Sequence, residues 1–243
     1  KDKVLDTVYI GGGTPTTLEP EQLKVLLDAL MENFCCENLA EFTIEAGRPD
    51  SITREKLMMI RNYPITRISV NPQTMNNNVL RIIGRNHTAE DTVRAFLSAR
   101  EEGFDNINMD LIAGLPSDTA ESYHQTLDRI IDLNPESITV HTLTIKRSAK
   151  IYEDDIEKYL TAPASEMVNE SIRILPENGY LPYYLYRQKN TVENLENIGF
   201  AKKGRESLYN IFIMDETQTI LGAGCAASTK IVQPNGKITR IHN

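Results

Sequence analysis

The sequence predicts an α/β fold: a parallel sheet interleaved with helices over residues 1–145, then a smaller α+β unit over 146–243. Three observations predict it. Short β-branched runs alternate with helical patterns through the first 145 residues. Five such runs, each separated by a helical segment, need crossover connections, and those are what parallel neighbours require. After Thr144 the alternation stops and a charged stretch, Lys146 to Lys158, intervenes.

The strand signals are Thr7-Val8-Tyr9-Ile10, Phe42-Thr43-Ile44, Arg67-Ile68-Ser69-Val70, Ile107 to Ile112, and Ser137-Ile138-Thr139-Val140. Between the first two, Leu23, Leu26, Leu27, Leu30 and Phe34 recur on one helical face, entered through Pro20. Val79, Ile82 and Ile83 form a shorter stripe. Thr88 and Asp91 have the spacing of a capping box; Val93, Phe96 and Leu97 then make a buried face that Gly103 ends. Thr119 caps the next helix, whose stripe is Tyr123, Leu127, Ile130 and Ile131 and whose stop is Asn134-Pro135. In the second unit a helix spans Ser165 to Leu175, terminated by Pro176 and Gly179. Tyr183 to Tyr186, Asn210 to Met214 and Lys237 to Ile241 read as β-rich.

Composition removes several classes. The 26 basic and 34 acidic residues leave a net charge of −8, the wrong sign for a nucleic-acid binder, which neutralises phosphates. No apolar run approaches the ~20 residues that span a bilayer, and no signal peptide opens the chain. Three cysteines (Cys35, Cys36, Cys225) make no disulfide framework, so a reducing cytoplasm is the expected compartment. Cys35 and Cys36 read as packing, and Cys225 as a small core residue.

In open α/β sheets and barrels, ligands bind at the carboxyl ends of the strands. Strand one ends in Gly11-Gly12-Gly13-Thr14-Pro15-Thr16, strand two in Glu45 and Gly47-Arg48-Pro49, and strand three in Asn71-Pro72-Gln73. Strand four carries Asp110 and then Ala113-Gly114-Leu115-Pro116; strand five runs into His141-Thr142. All five offer glycine or polar chemistry to one rim. The glycine run serves equally as a tight turn or as bare backbone for a ligand, and it is neither a P-loop nor GxGxxG. Asp110 alternates with Met109 and Leu111, so it faces away from them, as a ligand group or within a structural ion pair. Glu45 has the same two readings. Gln73 reads as a loop residue and Arg85 as a helix-end cation; the four histidines have no metal-ligand spacing.

The succession resembles a known family. Val8 to Thr16, Thr43-Ile44-Glu45, Arg67 to Gln73, Gly84-Arg85-Asn86-His87-Thr88 and Asn108 to Pro116 are similar, in order, to segments of radical S-adenosylmethionine (SAM) enzymes of the oxygen-independent coproporphyrinogen III oxidase type. Pro182 to Asn190 and Asn197 to Ala201 resemble the HemZ-like dehydrogenase branch. The resemblance implies a partial TIM-like (β/α)6 barrel lacking its first strand, with a C-terminal HemN/HemZ-like α+β domain. It implies SAM across the strand ends: Gly12, Gly13 and Thr14 toward the methionine amino group, Gln73 and Asp110 toward the ribose hydroxyls, Arg85 toward the carboxylate, and Glu45 near ribose or amine. There the residues singled out by strand position and those implied by the family coincide.

One departure matters. The family holds a [4Fe-4S] cluster on Cys-x3-Cys-x2-Cys after its first strand, and no such spacing occurs in this sequence. The resemblance therefore implies a piece of a longer protein, its first strand and cluster loop before Lys1, unable alone to cleave SAM. For the parent it implies oxidative decarboxylation of coproporphyrinogen III propionates to vinyl groups, fed by an electron donor. The expected partners are thus a porphyrinogen and an electron donor, with no nucleic acid and no membrane span. Lys146, Arg147 and Lys150, with Lys202, Lys203 and Arg205, are candidates for receiving the substrate carboxylates. A haem-binding chaperone-like relative is the alternative. An unrelated barrel enzyme using Glu45 and Asp110 as acid and base is a third.

Overall fold

A computed structural model describes residues 4–34, 36, 38–144, 163–189, 191–225 and 227–243. Strands β1 (Thr7–Ile10), β2 (Glu41–Gly47), β3 (Arg67–Val70), β4 (Ile107–Ala113) and β5 (Ser137–Thr142) lie side by side in sequence order, all parallel. Their crossovers carry helices α1 (Pro20–Asn33), α2 (Arg54–Ile60), α3 (Asn77–Ile82), α4 (Ala89–Glu101) and α5 (Ala120–Leu133). Helix α6 (Ala164–Glu177) leads to β6 (Leu181–Tyr186) and β7 (Asn197–Ala201). Strand β7 pairs antiparallel with β5 and with β6, so the seven-stranded order is β1-β2-β3-β4-β5-β7-β6. The sheet thus takes strands from both sides of position 145. Helix α7 (Leu208–Asp215) and a separate hairpin, β8 (Ser228–Val232) with β9 (Ile238–His242), complete the described chain.

Side chains alternate across a strand, and here the alternation is chemical as well as geometric. Phe42, Ile44, Ile68, Val70, Met109, Leu111, Ile138, Val140 and Phe200 are fully buried on the face that packs against the helices. The other parity carries Thr43, Glu45, Ser69, Asn108, Asp110, Ser137, Thr139 and His141. This polar face is the concave side of a curled half-barrel.

Helix boundaries follow local chemistry. Thr88 and Asp91 form the expected reciprocal capping box of α4, and the Thr119 hydroxyl caps α5. Asn134 ends α5 in the left-handed region at φ 59°. Five features differ from expectation. Helix α6 continues through Pro176, because a proline in the last turn forgoes only one backbone donor. Leu97 points outward at 49% exposure, while Ala95, Phe96 and Ala99 make the packed face of α4. Phe34 falls just beyond α1 and is exposed, and Cys225 is exposed rather than packed. Asn210 to Met214 is helical (α7) rather than β, since a short apolar run fits either period and Ser207 supplies an N-cap. Cys35 and the charged stretch, with Lys146, Arg147 and Lys150, lie outside the described residues.

Helix α7 touches both β1 and β6, the two edges of the curled sheet. What fixes it is the buried Glu41 carboxylate on β2. It accepts hydrogen bonds from the Ser207 hydroxyl at 2.9 Å, the Leu208 amide at 2.8 Å and the Tyr209 amide at 3.3 Å. An anion at a helix N-terminus satisfies open donors and complements the helix dipole. Glu41→Ala should therefore destabilise the chain by about 2–4 kcal/mol, the usual cost of stranding donors held by a buried charge. Urea denaturation measures this, and a loss below about 0.5 kcal/mol, the range of ordinary surface changes, would show that α7 is held otherwise.

Candidate functional site

The carboxyl ends of the parallel strands form the rim expected from the sequence. Gly11 sits where β1 meets Glu45: a Cβ there would collide with the Tyr9 ring and lie 2.9 Å from Glu45 Cδ. Its missing side chain is the space the Glu45 carboxylate occupies. Gly12 has φ +99°, and a Cβ on Gly12 or Gly13 would meet nothing within 4 Å, so their backbone borders open space. Thr14 packs against Gly47, where a Cβ would come 2.9 Å from Thr14 Cγ2. The first two βα loops are thereby locked together.

Gln73 is joined to strand β4 through its backbone. Its amide donates to the Asp110 carbonyl at 3.0 Å, and its carbonyl accepts from the Ile112 amide at 2.9 Å. It holds φ 69°, a conformation non-glycine residues rarely adopt, and its side chain is buried. Asp110 and Glu45 face the same lumen closely enough to act on each other electrostatically. Asp110 Oδ1 accepts from Asn108 Nδ2 at 2.6 Å, and Asp110 Oδ2 lies 3.7 Å from His141 Nε2. Asn108 is itself fixed, its carbonyl accepting from Ser137 and Thr139.

The charges settle accordingly. Burial pushes the Asp110 carboxyl up, but His141, with Asn108 and Thr139, outweighs it and holds Asp110 below the ordinary carboxylate value. Burial likewise pushes His141 down, yet Asp110 and Glu45 raise it above an ordinary histidine. Burial and the Asp110 charge raise Glu45, opposed by hydrogen bonds from the Tyr9 hydroxyl and the Gly12 backbone. The Tyr9 ring stacks on Tyr209 of α7 at 4.2 Å. Burial and the neighbouring Glu45 hold the Tyr9 phenol well above its usual value.

Arg85 stands on the same rim, after α3, beside Arg48 and Asp50 that follow β2. Arg48 pairs with Asp50 at 3.1 Å. Arg85 is half-buried and makes no ion pair among the described residues; burial and the Arg48 charge push its pKa down. Next to it, His87 contacts the Pro72 carbonyl.

Glu45 and Asp110 thus face one lumen, Gln73 is tied beside Asp110 through its backbone, and Gly12, Gly13, Thr14 and Arg85 stand on the rim. Tyr9 and Tyr209 were not singled out by sequence, and His141, placed there at the end of strand five, was given no role in the site. Strand parity could have found Tyr9 and His141, because they share the phase of Glu45 and Asp110; Tyr209 depended on the position of α7. The Lys202, Lys203 and Arg205 patch needs correction. Lys202 follows β7 opposite the start of β5 and is bound to Asn134, while Arg205 pairs with Asp105. These residues lie at the amino ends of the parallel strands, remote from the rim. A cavity of about 640 Å³ opens there between Arg61, Phe104, Asp105 and Arg205. Its location, far from the convergent polar groups, leaves the rim as the site.

A family model for the radical SAM superfamily matches residues 1–130. The chain belongs to this superfamily. It is 45% identical over 247 residues to the oxygen-independent coproporphyrinogen-III oxidase-like protein HemZ of Bacillus subtilis strain 168, covering all of this chain and 49% of that protein. The heme chaperone HemW of the same organism is 32% identical over 222 residues, covering 90% of this chain and 56% of HemW. The structure of coproporphyrinogen III oxidase (HemN) from Escherichia coli, a radical SAM enzyme, superposes with a TM-score of 0.70 at 26% identity, over 93% of this chain and 52% of HemN. The chain spans about half the length of the curated relatives it matches.

Radical SAM membership implies SAM and a [4Fe-4S] cluster, and the residues answer differently for each. Among the described residues Arg85 is a half-buried guanidinium without an ion pair and Asn71 Oδ1 is buried without a hydrogen-bond partner; with the open backbone at Gly12 and Gly13 they suit a zwitterionic nucleoside. For the cluster, no group of three or more His, Cys, Asp or Glu among the described residues could hold a metal. No described helix is long and apolar enough to cross a membrane.

The glycines separate packing from ligand access. Gly11→Ala should lower stability by about 1–3 kcal/mol through overpacking on Tyr9 and Glu45. Gly13→Ala should stay within about 0.5 kcal/mol, since its Cβ meets nothing. Thermal melts of the two variants make the comparison, and equal losses would refute this account of Gly11.

Proposed function

We propose that this chain provides the SAM-binding face of a radical SAM protein that oxidatively decarboxylates coproporphyrinogen III. The observation that carries the proposal is the meeting of Glu45 and Asp110 in one lumen, with Gln73 bonded to the Asp110 backbone and Arg85, which makes no ion pair among the described residues, at its edge. The HemZ-like and HemN relatives supply the substrate class.

The roles follow from donor and acceptor inventory. Asp110 and Gln73 present acceptor oxygens suited to the two hydroxyls of a ribose. Arg85 presents a planar fork suited to a carboxylate, and burial strengthens that pairing by reducing competition from water. The exposed backbone at Gly12 and Gly13 suits an α-amino group. Glu45, held by Tyr9, presents acceptor oxygens suited to the ribose or the amino group. When bound beside a reduced cluster, SAM supplies one-electron chemistry that begins with cleavage of a carbon–sulfur bond. The protein's part is to orient the nucleoside and to keep water from the lumen.

A second reading, a haem-binding chaperone, is favoured by the 32% identity with HemW. The two separate on activity. After anaerobic cluster reconstitution of the intact protein, the oxidase releases carbon dioxide from coproporphyrinogen III, whereas the chaperone binds haem stoichiometrically and releases none.

Calorimetry on the chain tests the nucleoside site directly. Arg85→Gln should weaken S-adenosylhomocysteine binding about tenfold or more, equivalent to ~1.4 kcal/mol, while leaving the melting temperature in place. Equal affinity in wild type and variant would remove Arg85 from the site.

A further inference from the structure

Two carboxylates, Glu45 and Asp110, share a partly enclosed lumen, and like charges so placed oppose each other. Among the described residues, His141 is the one cationic partner in ion-pair contact with either, 3.7 Å from Asp110 Oδ2. Asn108 donates to the other oxygen at 2.6 Å, so one oxygen is hydrogen-bonded and the other faces the imidazole. This leaves acceptor sites open, because a carboxylate offers about four lone-pair directions.

We propose that His141 is a positioning residue: as the counter-ion of Asp110 it fixes that carboxylate to accept the hydroxyls of a ribose. This rests on the reading of the rim as a nucleoside site and adds to it a residue outside the set matched by resemblance. Among the described residues, the groups facing His141 are few. Strand β4 presents Asp110 and β2 presents Glu45; behind Glu45, β1 presents Tyr9 and α7 presents Tyr209. Strand β6 presents Tyr184 and Tyr186 toward Asp110. The tyrosines are all raised above their ordinary value, so the charge balance near neutrality lies among His141, Asp110 and Glu45.

The sign of the pH dependence follows. The folded pKa of His141 is raised above 6.5, so the ion pair is fully present below 6.5 and is lost as pH rises through the folded value. Losing the imidazolium leaves Glu45 and Asp110 without a counter-charge among the described residues, and Asp110, no longer drawn to His141 and repelled by Glu45, turns aside from the ribose hydroxyls.

The test titrates adenosine and 2′,3′-dideoxyadenosine into the chain from about pH 6 to 9, in wild type and His141→Gln. Wild-type affinity for adenosine should decline as pH rises, and His141→Gln should lose about tenfold at the low end and show no such slope. Dideoxyadenosine, which lacks the 2′- and 3′-hydroxyls that Asp110 would accept from, should bind both proteins alike at every pH. In parallel, NMR titration of the His141 imidazole in the unliganded protein should give a pKa above the ordinary value that falls on Asp110→Asn. If adenosine binds and His141→Gln leaves its affinity and pH profile unchanged, the inference is overturned while the nucleoside reading stands. If wild type binds neither nucleoside, the nucleoside reading fails first, and a His141 pKa indifferent to Asp110→Asn overturns the pairing independently.

Discussion

The constraint on which this structure depends is strand parity in a curled parallel sheet. One face must be apolar to pack against the helices, which commits every second residue of β1 to β5 to a common concave space. Polar groups placed there cannot reach bulk water freely and must satisfy one another. The network of Tyr9 on Glu45, Asn108 on Asp110, and His141 on Asp110 is the consequence. Site chemistry and fold stability are therefore not separable on this face.

The lumen is finished from outside the parallel strands. Helix α7 bridges the two sheet edges, and its N-terminus is seated on Glu41, from the same strand that carries Glu45. Tyr209 then reaches Tyr9 by stacking, so the helix that closes the half-barrel also buttresses the carboxylate at its rim. On the other side β7 docks antiparallel on β5, and β6 brings Tyr184 and Tyr186 over Asp110. The second half of the chain thus sets the dielectric in which the residues of the first half titrate.

Superfamily membership and relatives in the porphyrin and haem field agree with this arrangement, and they divide on chemistry. HemZ-like and HemN proteins and the HemW chaperones all cover the same stretch of chain.

The sequence by itself determined the α/β class, the five parallel strands, the caps at Thr88, Thr119 and Asn134, and the candidate rim residues. These are local: period, capping chemistry and glycine placement are written in neighbouring residues, and parity alone puts Asp110 opposite Met109. Only the tertiary structure decided that His141 meets Asp110, that Gly11 makes room for Glu45, that α7 is a helix spanning both sheet edges, and that Lys202 and Arg205 lie at the far end. Each joins segments distant in sequence, by up to about two hundred positions for Tyr9 and Tyr209. A short apolar run carries no record of which partner will cover it, and a charge carries none of which end of the sheet it will reach.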